Sequence, residues 1–139
     1  RMLETAKARV VAAGYGGTIE LQCMDATTLP YAENTFDGLF MSFVLEVFEP
    51  SEIGPLLEQC RKVIKTDGRL CVVAMSTQGK RGTMMKLYQW AHAKLPNTID
   101  CRPINAGELI RAAEFEVIED IVTSLFGLSV EIVRSRKSA

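Results

Sequence analysis

Two apolar runs flank one polar stretch, residues 25–37, and that alternation limits the possible folds more than any other feature of the chain. Before it, Ile19, Leu21 and Cys23 alternate with Glu20 and Gln22, a period-2 pattern that ends at Met24. After it, Leu39, Phe40 and Met41 form a short continuous apolar run. The spacing predicts strands over 19–24 and 36–41 joined by a polar connection. In an open α/β sheet, ligands lie across the carboxyl ends of the strands. Asp25, directly after the first run, is therefore placed to accept hydrogen bonds from a ligand; the competing reading is an Asx-type turn that closes the strand.

The rest of the chain alternates helix and strand signals. Leu3, Ala6, Val10 and Ala13 share one face of an opening helix that Gly14 can stop. The glycines of 14–17 follow a helix and precede a strand, the reverse of a phosphate or cofactor loop, and read as a turn. A second helix is expected from Ser51 or Gly54, with Leu56, Leu57, Cys60, Val63 and Ile64 facing the core and Pro55 suited to an early turn. Residues 70–75 are apolar on both faces, as in a central parallel strand. A polar loop over 76–82 leads to a helix reaching Leu95, read as core-facing or as a lid carrying Met85, Trp90 and His92. An irregular connector over 96–103 follows. Asn105 and Glu108 then have the spacing of an N-cap and its partner, for a short helix ending near Ala113. Residues 115–125 and 128–134 read as a hairpin turning at Phe126 and Gly127.

Composition limits the class of function. The chain has 139 residues, 47% hydrophobic and 24% charged, with a net charge of −1, which suits one ordinary domain with a sizeable core. No basic run or stripe offers a nucleic-acid footprint, so a nucleic-acid partner is not expected. No apolar stretch is long enough to span a membrane and the start lacks a signal-peptide layout, so a cytoplasmic location is expected. Cys23, Cys60, Cys71 and Cys101 have none of the close spacings of zinc or redox sites, and no metal is expected. The first three fall on positions read as buried; Cys101 falls in a connector.

The spelling D-A-x-x-L-P-Y-x-x-x-x-F-D over 25–37 resembles the segment around the third and fourth strands of class I S-adenosylmethionine-dependent methyltransferases, particularly the ubiquinone and menaquinone biosynthesis type. The similarity continues through Phe43, Val44 and Leu45 and through 61–70, which resembles that family's R-x-L-K-P-G-G-x-L turn, one departure being Thr66 and Asp67 in place of Pro and Gly. It covers residues 2–75, about half of the chain. Segments around Trp90, Asp100 and Gly127 are similar to a quinone-type subgroup.

The resemblance implies an α/β, Rossmann-like class I methyltransferase sheet, mostly parallel with a carboxyl-terminal antiparallel hairpin. Residues 1–139 would form a single partial domain whose amino-terminal strands and glycine-rich motif lie upstream of Arg1. It implies S-adenosylmethionine as cofactor and methyl transfer to a small, apolar or quinone-like acceptor. Asp25 would accept from the adenine amino group, the Ala26 amide would donate to the ring, and Met24 would pack on it. Ser42 and Phe43 would border the methionine portion, although ordinary strand-end packing also explains them; Asp37 reads as ordering the start of its strand. A general base, where the acceptor needs one, would be Glu46 or His92, although both also read as surface positions. Cys101 and Arg102 could approach the acceptor, or Arg102 could simply anchor its loop.

In that family's strand order, 19–24 and 36–41 stand three spacings apart, about 14 Å. The chain is therefore expected to leave a gap in its sheet, filled by an upstream segment or by strands of a second copy in a homodimer. Two rivals stand beside the methyltransferase reading. One is a non-catalytic remnant acting in binding or assembly; the other is a nicotinamide-dependent oxidoreductase, which the absence of G-x-G-x-x-G disfavours.

Overall fold

The computed structural model describes residues 1–78 and 102–138. The expected helix reaching Leu95 lies outside the described residues, together with Met85, Trp90, His92 and Cys101. The first element is α1 (Met2–Ala12). Gly14, at φ +81°, ends it. The Gly14 amide bonds Val11 O at 2.9 Å and the Tyr15 amide bonds Val10 O at 3.0 Å, the paired closure of a Schellman motif, which needs a left-handed residue at Gly14. Leu3, Ala6 and Val10 are the partly buried positions of this helix, and none of its residues is fully buried.

Among the described residues four strands form one sheet: β1 (Phe36–Ser42), β2 (Ile64–Met75), β3 (Phe115–Leu125) and β4 (Leu128–Lys137), in the order β1-β2-β4-β3. β1 and β2 are parallel, and β4 is antiparallel to both β2 and β3. Three strands thus run one way and only β4 is reversed, as the mostly parallel sheet with a terminal hairpin requires. The hairpin turns at Phe126 (φ +50°) and Gly127 (φ +79°). Two successive left-handed residues are what a type I′ turn demands.

Residues 19–24 do not form the expected strand. They carry the apolar alternation but no ladder joins them to β1 or to any other strand among the described residues. Extended backbone becomes a strand only with a neighbour to share its hydrogen bonds. Without that neighbour the apolar alternation has no face to bury, and Cys23, expected to be buried, is exposed. Cys60 is buried and Cys71 partly so.

One face of the sheet carries α2 (Pro50–Val63) and α3 (Ala106–Ala112). α2 begins at Pro50, slightly before the expected start. Proline needs no amide partner at the first helical position, and Glu52 Oε2 accepts the Glu49 amide at 3.0 Å. Pro55 accordingly lies in the second turn of the helix rather than in its first. α3 is capped as expected, with Asn105 Oδ1 accepting the Glu108 amide at 3.2 Å. Ile53, Leu56, Leu57 and Cys60 of α2, with Ala106 and Ile110 of α3, pack on Leu70, Val72 and Ala74 of β2 and Val133 of β4. The opposite face is more open: Phe40 is 68% exposed and Ile121 44%.

β2 carries an irregularity where its register with β1 jumps from Phe36↔Ile64 to Gly38↔Arg69. Asp67, one of the two departures from the family's turn, has φ +61° there; Asp tolerates the left-handed region that Gly would occupy more cheaply. The Asp37 carboxylate meets Lys65 Nζ at 2.8 Å across the same irregularity, at the start of β1.

Two glycine-to-alanine changes should move stability in opposite directions. A Cβ on Gly68 would meet Ile64 Cγ2 and, at 2.7 Å, the Lys65 carbonyl oxygen; Gly68→Ala should cost about 1–3 kcal/mol. A Cβ on Gly54, inside α2, meets nothing within 4 Å, and Gly54→Ala should gain about 0.5–1 kcal/mol. Urea unfolding of the two variants checks both signs.

Candidate functional site

Because β1 and β2 are parallel, Ser42 and Met75 end at the same edge of the sheet, and the β3–β4 turn lies beyond that edge as well. This edge is where an α/β sheet holds ligands. Ser42 is exposed at the end of β1, and Phe43 is 36% exposed with φ +53°. The Phe43 amide makes the last main-chain bond of the ladder, to Val73 O at 2.7 Å.

Asp25 forms the Asx-type turn: its Oδ1 accepts from the Thr27 amide at 2.8 Å and from Thr27 Oγ1 at 2.7 Å. The Thr27 hydroxyl and then the Thr27 amide hold its carboxyl below the usual carboxylate range, so Asp25 is anionic at neutral pH. The turn uses Oδ1, and Oδ2 has no donor among the described residues. Ala26 packs against the core cluster, and its amide meets no acceptor among the described residues. Met24 is 36% exposed beside them. An anionic acceptor, an available amide and an adjacent apolar side chain are the features that an adenine ring with its amino group would use. No hydrogen bond joins 24–26 to 42–43 among the described residues; the two groups are placed by the fold separately.

The 3-10 turn Leu45–Val47 follows β1. Glu46, read as a surface position, is instead 1% exposed. Its Oε1 accepts the Met75 amide at 3.0 Å, whereas Oε2 is buried with no hydrogen-bond partner among the described residues. Desolvation pushes its carboxyl above the ordinary value of 4.5, against the lowering effect of the backbone bonds it receives. Arg102 takes the anchoring role: its guanidinium meets Glu49 Oε2 at 3.1 Å and its amide donates to Glu46 O at 3.3 Å.

A second buried carboxylate was not singled out from sequence. Glu131 is fully buried in β4. Its Oε2 accepts from Ser76 Oγ at 3.0 Å and the Ala106 amide at 3.2 Å, and its Oε1 accepts the Gly107 amide at 2.7 Å. It thereby ties the end of β2 to the start of α3. The available signal was an acid inside the apolar run 128–133, on the same strand face as Val133. Cys60 is chemically quiet, since burial pushes its thiol up to about 11. Among the described residues no three His, Cys, Asp or Glu side chains gather as a metal site, and no helix is long and apolar enough to cross a membrane.

Comparison with known proteins bears on the family and the fold. A family described as a methyltransferase domain matches residues 1–72. A demethylmenaquinone methyltransferase of Symbiobacterium thermophilum is 31% identical over 106 residues, covering 76% of this chain and 41% of that protein; the chain thus spans less than half the length of this relative. Among solved structures, a SAM-dependent methyltransferase from Methanosarcina mazei superposes with a TM-score of 0.78 at 18% identity, covering 98% of this chain and 77% of that one. The cyclase SpnF superposes with a TM-score of 0.77 at 19% identity, covering 99% and 62%. These likenesses establish the fold, and the cyclase among them shows that the fold alone does not name a reaction.

The two buried acids should respond differently to change. Glu131→Leu strips three donors of their acceptor and should cost about 3 kcal/mol or more, read by urea unfolding. For Glu46 the folded pKa lies above the unfolded one. As pH rises from 4.5, the unfolded chain loses its proton first, so this group's contribution turns against folding until the folded carboxyl has also ionised. Glu46→Gln should remove that decline, and unfolding midpoints compared between about pH 4 and about pH 8 would show the variant gaining on the native protein as pH rises.

Proposed function

The chain belongs to the methyltransferase-domain family, in the class I S-adenosylmethionine-dependent group of the ubiquinone and menaquinone biosynthesis type, and on that premise we propose that it transfers a methyl group from S-adenosylmethionine to a small apolar or quinone-like acceptor. One observation carries the reading: within the family-matched stretch, Asp25 is anionic and pre-oriented by Thr27, next to an Ala26 amide that meets no acceptor among the described residues. The quinone-like acceptor rests on the named activity of the Symbiobacterium thermophilum relative. In this reading residues 1–139 belong to a single, partial methyltransferase domain of a cytoplasmic enzyme.

Bound S-adenosylmethionine supplies a methyl group on a positively charged sulfur, open to in-line displacement. The protein's task is to align and enclose, because the rate gain comes mainly from holding the reacting atoms in line. Asp25 accepts from the adenine amino group, the Ala26 amide donates to a ring nitrogen, and Met24 covers the ring. Ser42 and Phe43, at the end of β1, border the methionine portion.

Asp25→Ala in the full-length protein should weaken S-adenosylmethionine binding by about 1–3 kcal/mol, the range for losing a hydrogen bond to a charged group. Calorimetry with S-adenosylmethionine, and in parallel with NAD, checks it. Unchanged affinity in a folded variant removes Asp25 from the site, and binding of NAD alone overturns the methyltransferase reading.

A further inference from the structure

Phe43 is where β1 leaves the sheet. Its amide still bonds Val73 O, and a regular parallel ladder would next pair the Phe43 carbonyl with the Met75 amide. The left-handed backbone at Phe43, φ +53°, turns the chain away instead. The Met75 amide then bonds Glu46 Oε1, three residues further on, at 3.0 Å. A side-chain carboxyl thus takes the place of the missing main-chain acceptor. Two more bonds close the arrangement: Ile104 N donates to Met75 O at 2.8 Å, and Arg102 N donates to Glu46 O at 3.3 Å. The turn after β1, the end of β2 and the segment leading into α3 therefore meet through Glu46 and Met75.

An apolar residue at this position would leave the Met75 amide unpaired, and a longer β1 would satisfy it without burying a carboxyl. The chain does neither, and among the described residues Glu46 Oε2 is buried without a partner. Buried polar atoms without partners are costly and uncommon. The benefit is geometric, because the clasp lets β1 peel away at Ser42 and Phe43 while the departing turn stays fixed to β2.

We propose that Glu46 is a positioning residue for the cofactor site, a clasp that holds the turn carrying Ser42 and Phe43 against the end of β2, and not a base that touches the acceptor. This rests on the methyltransferase reading above. Glu46→Gln keeps an oxygen acceptor for Met75 and gives the second position a donor. Glu46→Leu has no acceptor, and the carboxyl of Glu46→Asp is one methylene short.

The test is calorimetry of S-adenosylmethionine binding to the full-length protein and these variants, well below each melting temperature, with the melts recorded alongside. The Gln variant should bind within about threefold of the native protein, and the Leu and Asp variants should bind about tenfold more weakly or worse. A purely structural role would lower the melting temperatures and leave the affinity of the folded protein unchanged. Should the Leu variant not fold, the Asp variant decides. Leu and Asp variants that fold and bind like the native protein overturn the proposal. So does a Gln variant as weak as the Asp variant, since the charge itself would then be acting. If the native protein binds no S-adenosylmethionine, the functional reading fails and this proposal falls with it; native binding with indifferent variants overturns the clasp alone.

Discussion

β2 is the constraint on which the structure depends. Among the described residues it is the one strand with a parallel neighbour on one side and an antiparallel neighbour on the other, so its amides and carbonyls are shared between two ladders. Leu70, Val72 and Ala74 are fully buried beneath α2 and α3. A buried strand tolerates no unpaired main-chain group cheaply. Both features at its carboxyl end follow from that. Where β1 departs, a carboxyl must replace it; where β2 itself ends, Ile104 forms an isolated parallel bridge with Ser76 that prolongs the pairing.

The two buried acids at that end show how the same side chain can serve different ends. Glu131 faces three donors, two of them amides at the start of α3, and its oxygens are satisfied. Close packing here depends on Gly107, where a Cβ would collide with Asp120 Oδ2 and crowd Arg111 and Glu131. Glu46 has one donor and one stranded oxygen. A fully paired buried carboxylate rigidifies its surroundings, whereas a half-paired one carries an energetic cost that the fold must recover elsewhere. The fully paired acid stands at a helix start, and the half-paired one stands where the ligand edge of the sheet opens.

Family membership and geometry contribute different things. The family match covers residues 1–72, which hold both proposed cofactor segments and the clasping Glu46. The hairpin and α3 lie beyond it. The hairpin extends the sheet beyond β2, Glu131 braces the end of β2 against α3, and Arg102, before α3, braces the turn after β1.

Local chemistry was enough to read several elements directly. Gly14 stops α1 because a Schellman closure needs a left-handed residue. Asn105 caps α3 because its side chain reaches an amide three residues on. Phe126 and Gly127 turn the hairpin, and α2 shows its apolar face at helical spacing. Each depends on neighbours within a few residues, so the sequence by itself determined them. The Asx-type turn at Asp25 is equally local, since its carboxyl reaches only to Thr27. What the sequence could not decide was set by partners distant in the chain. Alternation over 19–24 signals a strand, yet a strand exists only where another backbone lies alongside, and none of the described segments does. Glu46 looks like a surface acid in a polar turn, and its burial follows from the Met75 amide 29 residues away. Glu131 becomes a structural anchor only when Ser76, 55 residues earlier, and the start of α3, 25 residues earlier, converge on it. Short-range hydrogen bonds are written into residue order; the pairing of a buried polar group is decided by which strands the tertiary fold brings side by side.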